Sequence, residues 1–212
     1  MKSFKPPPVI LNVSAVDRKD SNGHWRSWDS SATVTTRFKE KFRAWALGNQ
    51  DGRCAFCRLS VGDLGHRRQV TLDHFIPKAN YPEWTFEPLN LLVACGSCNS
   101  SIKTSNSPLP PPPVSSVPQV YNRLPFTMFH PYLNGPESAH FQGGYPGGRC
   151  KPTPVKGISP QGKETIAQFK LDNPSLYKSW CAEYRGEVRK HRIESLPPRL
   201  RDLVLKALGE VA

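Results

Sequence analysis

Val70-Thr71-Leu72-Asp73-His74-Phe75-Ile76-Pro77, and after it Asn90-Leu91-Leu92-Val93-Ala94-Cys95-Gly96-Ser97-Cys98-Asn99, is the stretch on which the fold turns. From Arg68 to Phe75 polar and apolar residues alternate, the period of a half-buried strand, and Pro77 stops it because proline cannot donate to a ladder. Leu91 to Ala94 is an apolar run too short for a helix and reads as a second strand. Between the two, Asn80, Pro82 and Pro88 mark a loop. From Cys98 to Lys103 a helix can begin, with Ser97 as its cap. The expected order is strand, loop, strand, helix, and the class is α+β.

Cysteines bracket this stretch. Cys54-Ala55-Phe56-Cys57 and Cys95-Gly96-Ser97-Cys98 are two Cys-x-x-Cys knuckles, and two such knuckles supply the four soft ligands that tetrahedral Zn²⁺ needs. A disulfide framework suits a secreted chain, and the N-terminus has no apolar run of the signal-peptide kind behind Met1-Lys2-Ser3-Phe4-Lys5. A redox pair would explain one knuckle and leave the other idle. Structural Zn²⁺ at Cys54, Cys57, Cys95 and Cys98 is therefore expected, with Cys150 and Cys181 outside it.

Further out, residues 1–35 read as an irregular arm whose Trp25 and Trp28 dock onto the body. From Thr36 to Gly48, Phe38, Phe42, Trp45 and Leu47 form the stripe of a basic amphipathic helix. Residues 36–106 then make the zinc-bearing core. Residues 107–129 are a Pro-rich linker in which Pro108 to Val114 is polyproline II. Residues 130–212 are a mixed and then helical extension. Strands are expected around Ala139 to Phe141 and Val155 to Ile158, a short helix over Glu164 to Phe169, a long one from Ser175 to Ile193 opened by Asn173-Pro174, and a last one from Leu200 to Leu208.

The chain carries 29 Lys+Arg against 17 Asp+Glu, a net charge of +12, and such an excess favours a polyanionic partner, nucleic acid before an anionic membrane surface. With 37% hydrophobic residues and 5 Trp it is too apolar for a disordered chain, while 22 Pro imply much loop. No run approaches the roughly 18 apolar residues of a membrane span, so a cytoplasmic protein is expected. The basic residues of the helix at 175–193 read either as a solvated face or as contacts to a DNA backbone. His66 with Arg67 and Arg68 reads as a basic turn, and His24, His130, His140 and His191 show no ligand spacing.

Asp73 and His74 can carry chemistry. A carboxylate suits hard Mg²⁺ or Mn²⁺, and a neutral imidazole is the right base for water near pH 7. Strand neighbours point to opposite faces, so for both to act at one site the strand must end or bend there. The amide of Asn99, in the first turn after the second knuckle, is a candidate second ligand.

Asp73-His74 with Pro77, then Asn90-Leu91, then Cys95-x-x-Cys98-Asn99 and Lys103, resembles the zinc-stapled HNH endonucleases with a ββα-metal core, over about residues 54–103. The resemblance implies a metal-dependent DNA endonuclease: His74 as general base, Asp73 and Asn99 holding catalytic Mg²⁺ or Mn²⁺, Asn90 fixing the loop, and Zn²⁺ purely structural. Asn99 stands where many members have histidine. Lys103, on the helix face of Asn99, would contact a phosphate, with Arg67 and Arg68 nearby. His130-Pro131-Tyr132-Leu133, Gly162-Lys163-Glu164-Thr165-Ile166 and Leu171-Asp172-Asn173-Pro174 look like the C-terminal halves of HNH proteins in anti-phage systems, including Septu and retron-associated nucleases, which implies a defence role beside an ATPase partner. The alternative is a non-catalytic zinc module that binds nucleic acid or serves as an adaptor.

Overall fold

The computed structural model describes residues 2–8, 11, 14, 18–24, 26–62, 69–102, 108–109 and 120–209. The first helix, α1, runs Thr33–Asn49. Phe38, Phe42 and Ala46 recur at i, i+4 and i+8 and are buried, with Trp45 and Leu47 half-buried beside them. Trp25, His66, Arg67, Arg68, Lys103 and most of the stretch read as polyproline II lie outside the described residues.

Two antiparallel strands follow, β1 at Val70–His74 and β2 at Leu91–Cys95, with register Val70 to Cys95 through His74 to Leu91. All of β2 is buried, as a continuous apolar run requires. After β2 the expected α-helix capped by Ser97 is instead a π turn over Ser97–Ile102, with Ser97 inside it. Cys98 lies within this turn and Cys95 ends β2 just before it, so the wider winding sits directly beside the second knuckle.

In the extension, Glu137–Ala139 is a 3₁₀ turn, so the strand expected at Ala139 begins two residues later. β3 (Phe141–Gly144) and β4 (Thr153–Gly157) pair antiparallel across a bulge. Gly143, at φ +78°, sits where a Cβ would lie 2.0 Å from the Pro154 carbonyl, so only glycine admits the close approach. α2 (Pro160–Phe169) packs on β4 and is capped by Ser159, whose Oγ accepts from the Gly162 N–H. α3 (Pro174–Glu194) opens as its sequence requires, with Pro174 in the first turn and Asn173 Oδ1 accepting from the Ser175 N–H at 2.8 Å. α4 (Pro198–Ala207) lies against α3 and buries none of its residues.

One buried apolar cluster joins these parts, from Phe4 of the arm through Phe42 and β2 to Phe169 and Trp180. Tyr121, Phe126 and Phe129, at the end of the Pro-rich stretch, belong to it. Phe56 of the first knuckle stacks on Phe169 of α2 at 4.0 Å, and Trp180 Nε1 donates to the Cys57 carbonyl at 2.7 Å. No described helix is long and apolar enough to cross a membrane.

Candidate functional site

The four knuckle cysteines converge. Their Sγ atoms all lie within 4.8 Å of one another in a buried cluster, and Cys57 Sγ is 3.8 Å from Cys95 Sγ. A tetrahedron of thiolates around Zn²⁺ with Zn–S near 2.3 Å has edges of about 3.8 Å, so the four fit a structural zinc ion. Hydrogen bonds from Cys54, Cys57 and Cys98 lower the Cys95 thiol far below its ordinary range. Hydrogen bonds with Cys54 and Cys95 push Cys57 up, and those with Cys54, Cys57 and Cys95 push Cys98 up. Four thiols this close compete for protons, and a divalent ion held by the four would supply the charge that lets all of them ionise.

The chain around the cluster is tied at every turn. Cys54 N–H donates to the Leu59 carbonyl and Ala55 N–H to the Val93 carbonyl, both at 2.9 Å, joining the first knuckle to β2. Gln50, fully buried, repeats that join: Nε2 donates to the carbonyls of Arg53 and Val93, and Oε1 accepts from the Val93 N–H. Arg58, at φ +61°, is buried as well, and burial, then Arg53, lowers its guanidinium to about 10, so it stays charged at neutral pH. Arg53 and Arg58 flank Cys54 and Cys57, Arg53 paired with Glu183 and Glu187 and Arg58 with Asp51.

The second centre lies at the end of β1. Asp73 and His74 are both buried, at 4% and 7% exposure, and are the last two residues of β1. His74 Nε2 lies 3.0 Å from the Thr85 carbonyl oxygen. A carbonyl only accepts, so the ring proton is held on Nε2 and the basic lone pair is on Nδ1. The Trp28 ring meets the imidazole edge-on at 4.5 Å and is itself seated on Phe38 and Phe86. Lys39 Nζ lies 4.7 Å over the same indole. Burial lowers the Lys39 ammonium, Asp29 opposes that, and Lys78 and Arg43 add to the lowering, so three cations share this rim.

Asn90 ends the 3₁₀ turn immediately before β2 and has no exposed surface. Its Oδ1 accepts from the Ile76 N–H at 2.7 Å and from the Tyr121 hydroxyl at 3.0 Å. Its Nδ2 donates to the carbonyls of Ile76 and Trp84 at 3.2 and 3.0 Å. One side chain thus closes the loop from Phe75 to Leu89 at both ends, and the Phe75 N–H adds a bond to the Asn90 carbonyl at 2.7 Å. Asn99 is half-buried in the π turn, against which β1 packs. Lys103, Arg67 and Arg68 lie outside the described residues.

Sequence reasoning missed several members of this neighbourhood. Docking of Trp28 was expected, but not its seat on His74. The Tyr121 hydroxyl lies 3.1 Å from His130 Nε2, and His130 Nδ1 accepts from the Tyr132 N–H, so the His130-Pro131-Tyr132 segment buttresses Asn90 from behind. Burial lowers His130 to about 3, which keeps it neutral. The aromatic spacing of Tyr121 and Phe126 after the prolines was the available signal that this stretch packs.

No family model matches the chain, and no solved structure matches it. The chain is similar to "Protein ea31" of Escherichia phage lambda, 33% identical over 82 residues, which is 39% of this chain and 21% of that protein. It therefore spans about a fifth of the length of the curated relative it matches.

Proposed function

We propose that this chain is a zinc-stabilised, metal-dependent endonuclease of the HNH kind that hydrolyses DNA phosphodiester bonds. The observation that carries the reading is His74: an imidazole held by the Thr85 carbonyl in one tautomer, beside a carboxylate, at the end of a strand pair clamped by four converging cysteines. In this reading Nδ1 of His74 takes a proton from the attacking water. Asp73 and Asn99 would hold Mg²⁺ or Mn²⁺, which when bound supplies stabilisation of the charge developing on the phosphoryl and leaving oxygens. Asn90 is a positioning residue, since it fixes the loop whose Thr85 carbonyl orients the base. Lys39, Arg43 and Lys78 outnumber Asp29, which pairs with Lys78 at 3.3 Å, and this cationic excess on the rim supports a polyanionic substrate. The Cys54, Cys57, Cys95 and Cys98 site is closed by protein on all four corners and is structural.

The test is a Mn²⁺ titration of duplex-oligonucleotide cleavage by wild type and Asp73→Asn, with duplex binding measured alongside. Wild type cleaves, and the variant binds normally but needs at least about tenfold more Mn²⁺ or fails to cleave, as loss of a charged ligand requires. Cleavage by Asp73→Asn with the wild-type metal requirement would overturn the assignment. Binding without cleavage by wild type would favour the non-catalytic module.

A further inference from the structure

α3 sorts its charges by face. With 3.6 residues per turn, Lys178, Arg185, Arg189 and Arg192 fall within an arc of about 60°, and all four are exposed. The acidic residues of the helix, Glu183, Glu187 and Glu194, fall on the opposite side. Glu183 and Glu187 are occupied there by the core. Arg53 Nη1 pairs with Glu183 Oε2 at 2.8 Å and its Nη2 with Glu187, Ser60 Oγ donates to Glu183, and Tyr145 donates its hydroxyl to Glu187 at 2.7 Å. Glu194 lies 3.8 Å from Lys190, and Asp202 of α4 3.9 Å from Arg201. Lys178, Arg185 and Arg192 make no ion pair among the described residues. Glu183 and Glu187 are thus held by Arg53, Ser60 and Tyr145 of the core, and the outward face is left cationic along about 21 Å of helix, the axial span of about six phosphates of one DNA strand.

A groove of about 510 Å³ between α3 and α4 runs beside this face, with Arg185, Arg189 and Arg192 along it and Val188, Val204 and Leu208 among its apolar lining. The three arginines are exposed beside this apolar lining, which suits long side chains that rest their stems on apolar surface, and planar five-donor groups can meet phosphate oxygens in pairs. We infer that the Lys178, Arg185, Arg189 and Arg192 face of α3 is a nucleic-acid backbone grip, separate from the Asp73 and His74 centre and independent of base sequence. The inference rests on the nucleic-acid reading above and extends it to a surface that no HNH motif residue occupies.

Arg185→Gln, Arg189→Gln and Arg192→Gln combined are tested by fluorescence anisotropy on a labelled 20-base-pair duplex, between 50 and 200 mM KCl and without added divalent ion. The three arginines are exposed, so zinc content and circular dichroism stay at wild-type values. Each phosphate contact contributes about 0.9 to the slope of log affinity against log salt, so the variant's slope is shallower by about 2 to 3 and its affinity at 100 mM at least about tenfold weaker. Leu200→Ser with Leu203→Ser, which alters the exposed apolar face of α4, keeps the wild-type slope. An arginine variant with the wild-type slope would overturn the inference and leave this face to an acidic protein. A wild type that binds no duplex would instead remove the nucleic-acid reading beneath it.

Discussion

Asn90→Ala removes four hydrogen bonds at once, and the side chain it truncates has no exposed surface. The Tyr121 hydroxyl keeps His130 and the Trp84 carbonyl keeps the Glu87 N–H as partners, but the Ile76 N–H and carbonyl lose the Asn90 side chain in a dry interior. A net value of about 1 kcal/mol per bond gives about 4 kcal/mol, and orphaned buried groups raise rather than lower that figure. Against a typical total of about 5 to 15 kcal/mol this is a large share. For a chain of this size it corresponds to a fall in Tm of about 8 to 16 °C. Differential scanning calorimetry of the zinc-loaded variant checks the figure, and urea melts give the free energy directly. Asn90→Asp is similarly destabilised, because it sets a carboxylate oxygen against the Ile76 and Trp84 carbonyls. A loss below about 1 kcal/mol for Asn90→Ala would refute the reasoning, since water would then be reaching a site that the structure holds dry.

Three further outcomes are expected. His130 has its folded value lowered to about 3 by burial, against about 6.5 unfolded; its contribution is therefore full above pH 6.5 and is lost as pH falls from 6.5 toward 3, about 2 kcal/mol of it by pH 5. Urea melts at pH 7.5 and 5 check this by difference, with wild type losing about 2 kcal/mol more than His130→Gln, and equal losses would count against a neutral buried imidazole. Cys54→Ser with Cys57→Ser lowers bound zinc from about one per chain to none and removes the near-ultraviolet dichroism of the packed core, because structural zinc contributes folding free energy directly; elemental analysis and dichroism on one preparation read both. Trp28→Ala uncovers the His74 ring, so carbethoxylation of His74, followed by mass spectrometry, proceeds severalfold faster than in wild type, and an unchanged rate would show that Trp28 does not cover it.

Local pattern carried most of the elements. Alternation at Val70 to His74, the apolar run at Leu91 to Ala94, the Asn173-Pro174 opening of α3 and the stripe of α1 are each within reach of one or two turns of chain, and the structure has them. The cysteine pairs were legible because ligand chemistry fixes their spacing, and all four meet. The π turn after β2 was not legible, since the sequence Ser97 to Ile102 carries no local signal that distinguishes it from an α-helix start. Nor was the join between Arg53 and Glu183 with Glu187, or between Trp180 and the Cys57 carbonyl, because the partners are more than a hundred residues apart. His130 showed no ligand spacing for the same reason: its role is to hold Tyr121 behind Asn90, and only the folded chain brings the three together.

Nicking of supercoiled plasmid by the purified protein, with Mg²⁺ or Mn²⁺ and with His74→Ala beside wild type, tests the central claim most directly. Zinc content and duplex binding measured on the same preparations show that the variant is folded. Metal-dependent nicking by wild type, lost in His74→Ala while zinc and binding persist, is the predicted result. Equal nicking by the two proteins would contradict His74 as the base.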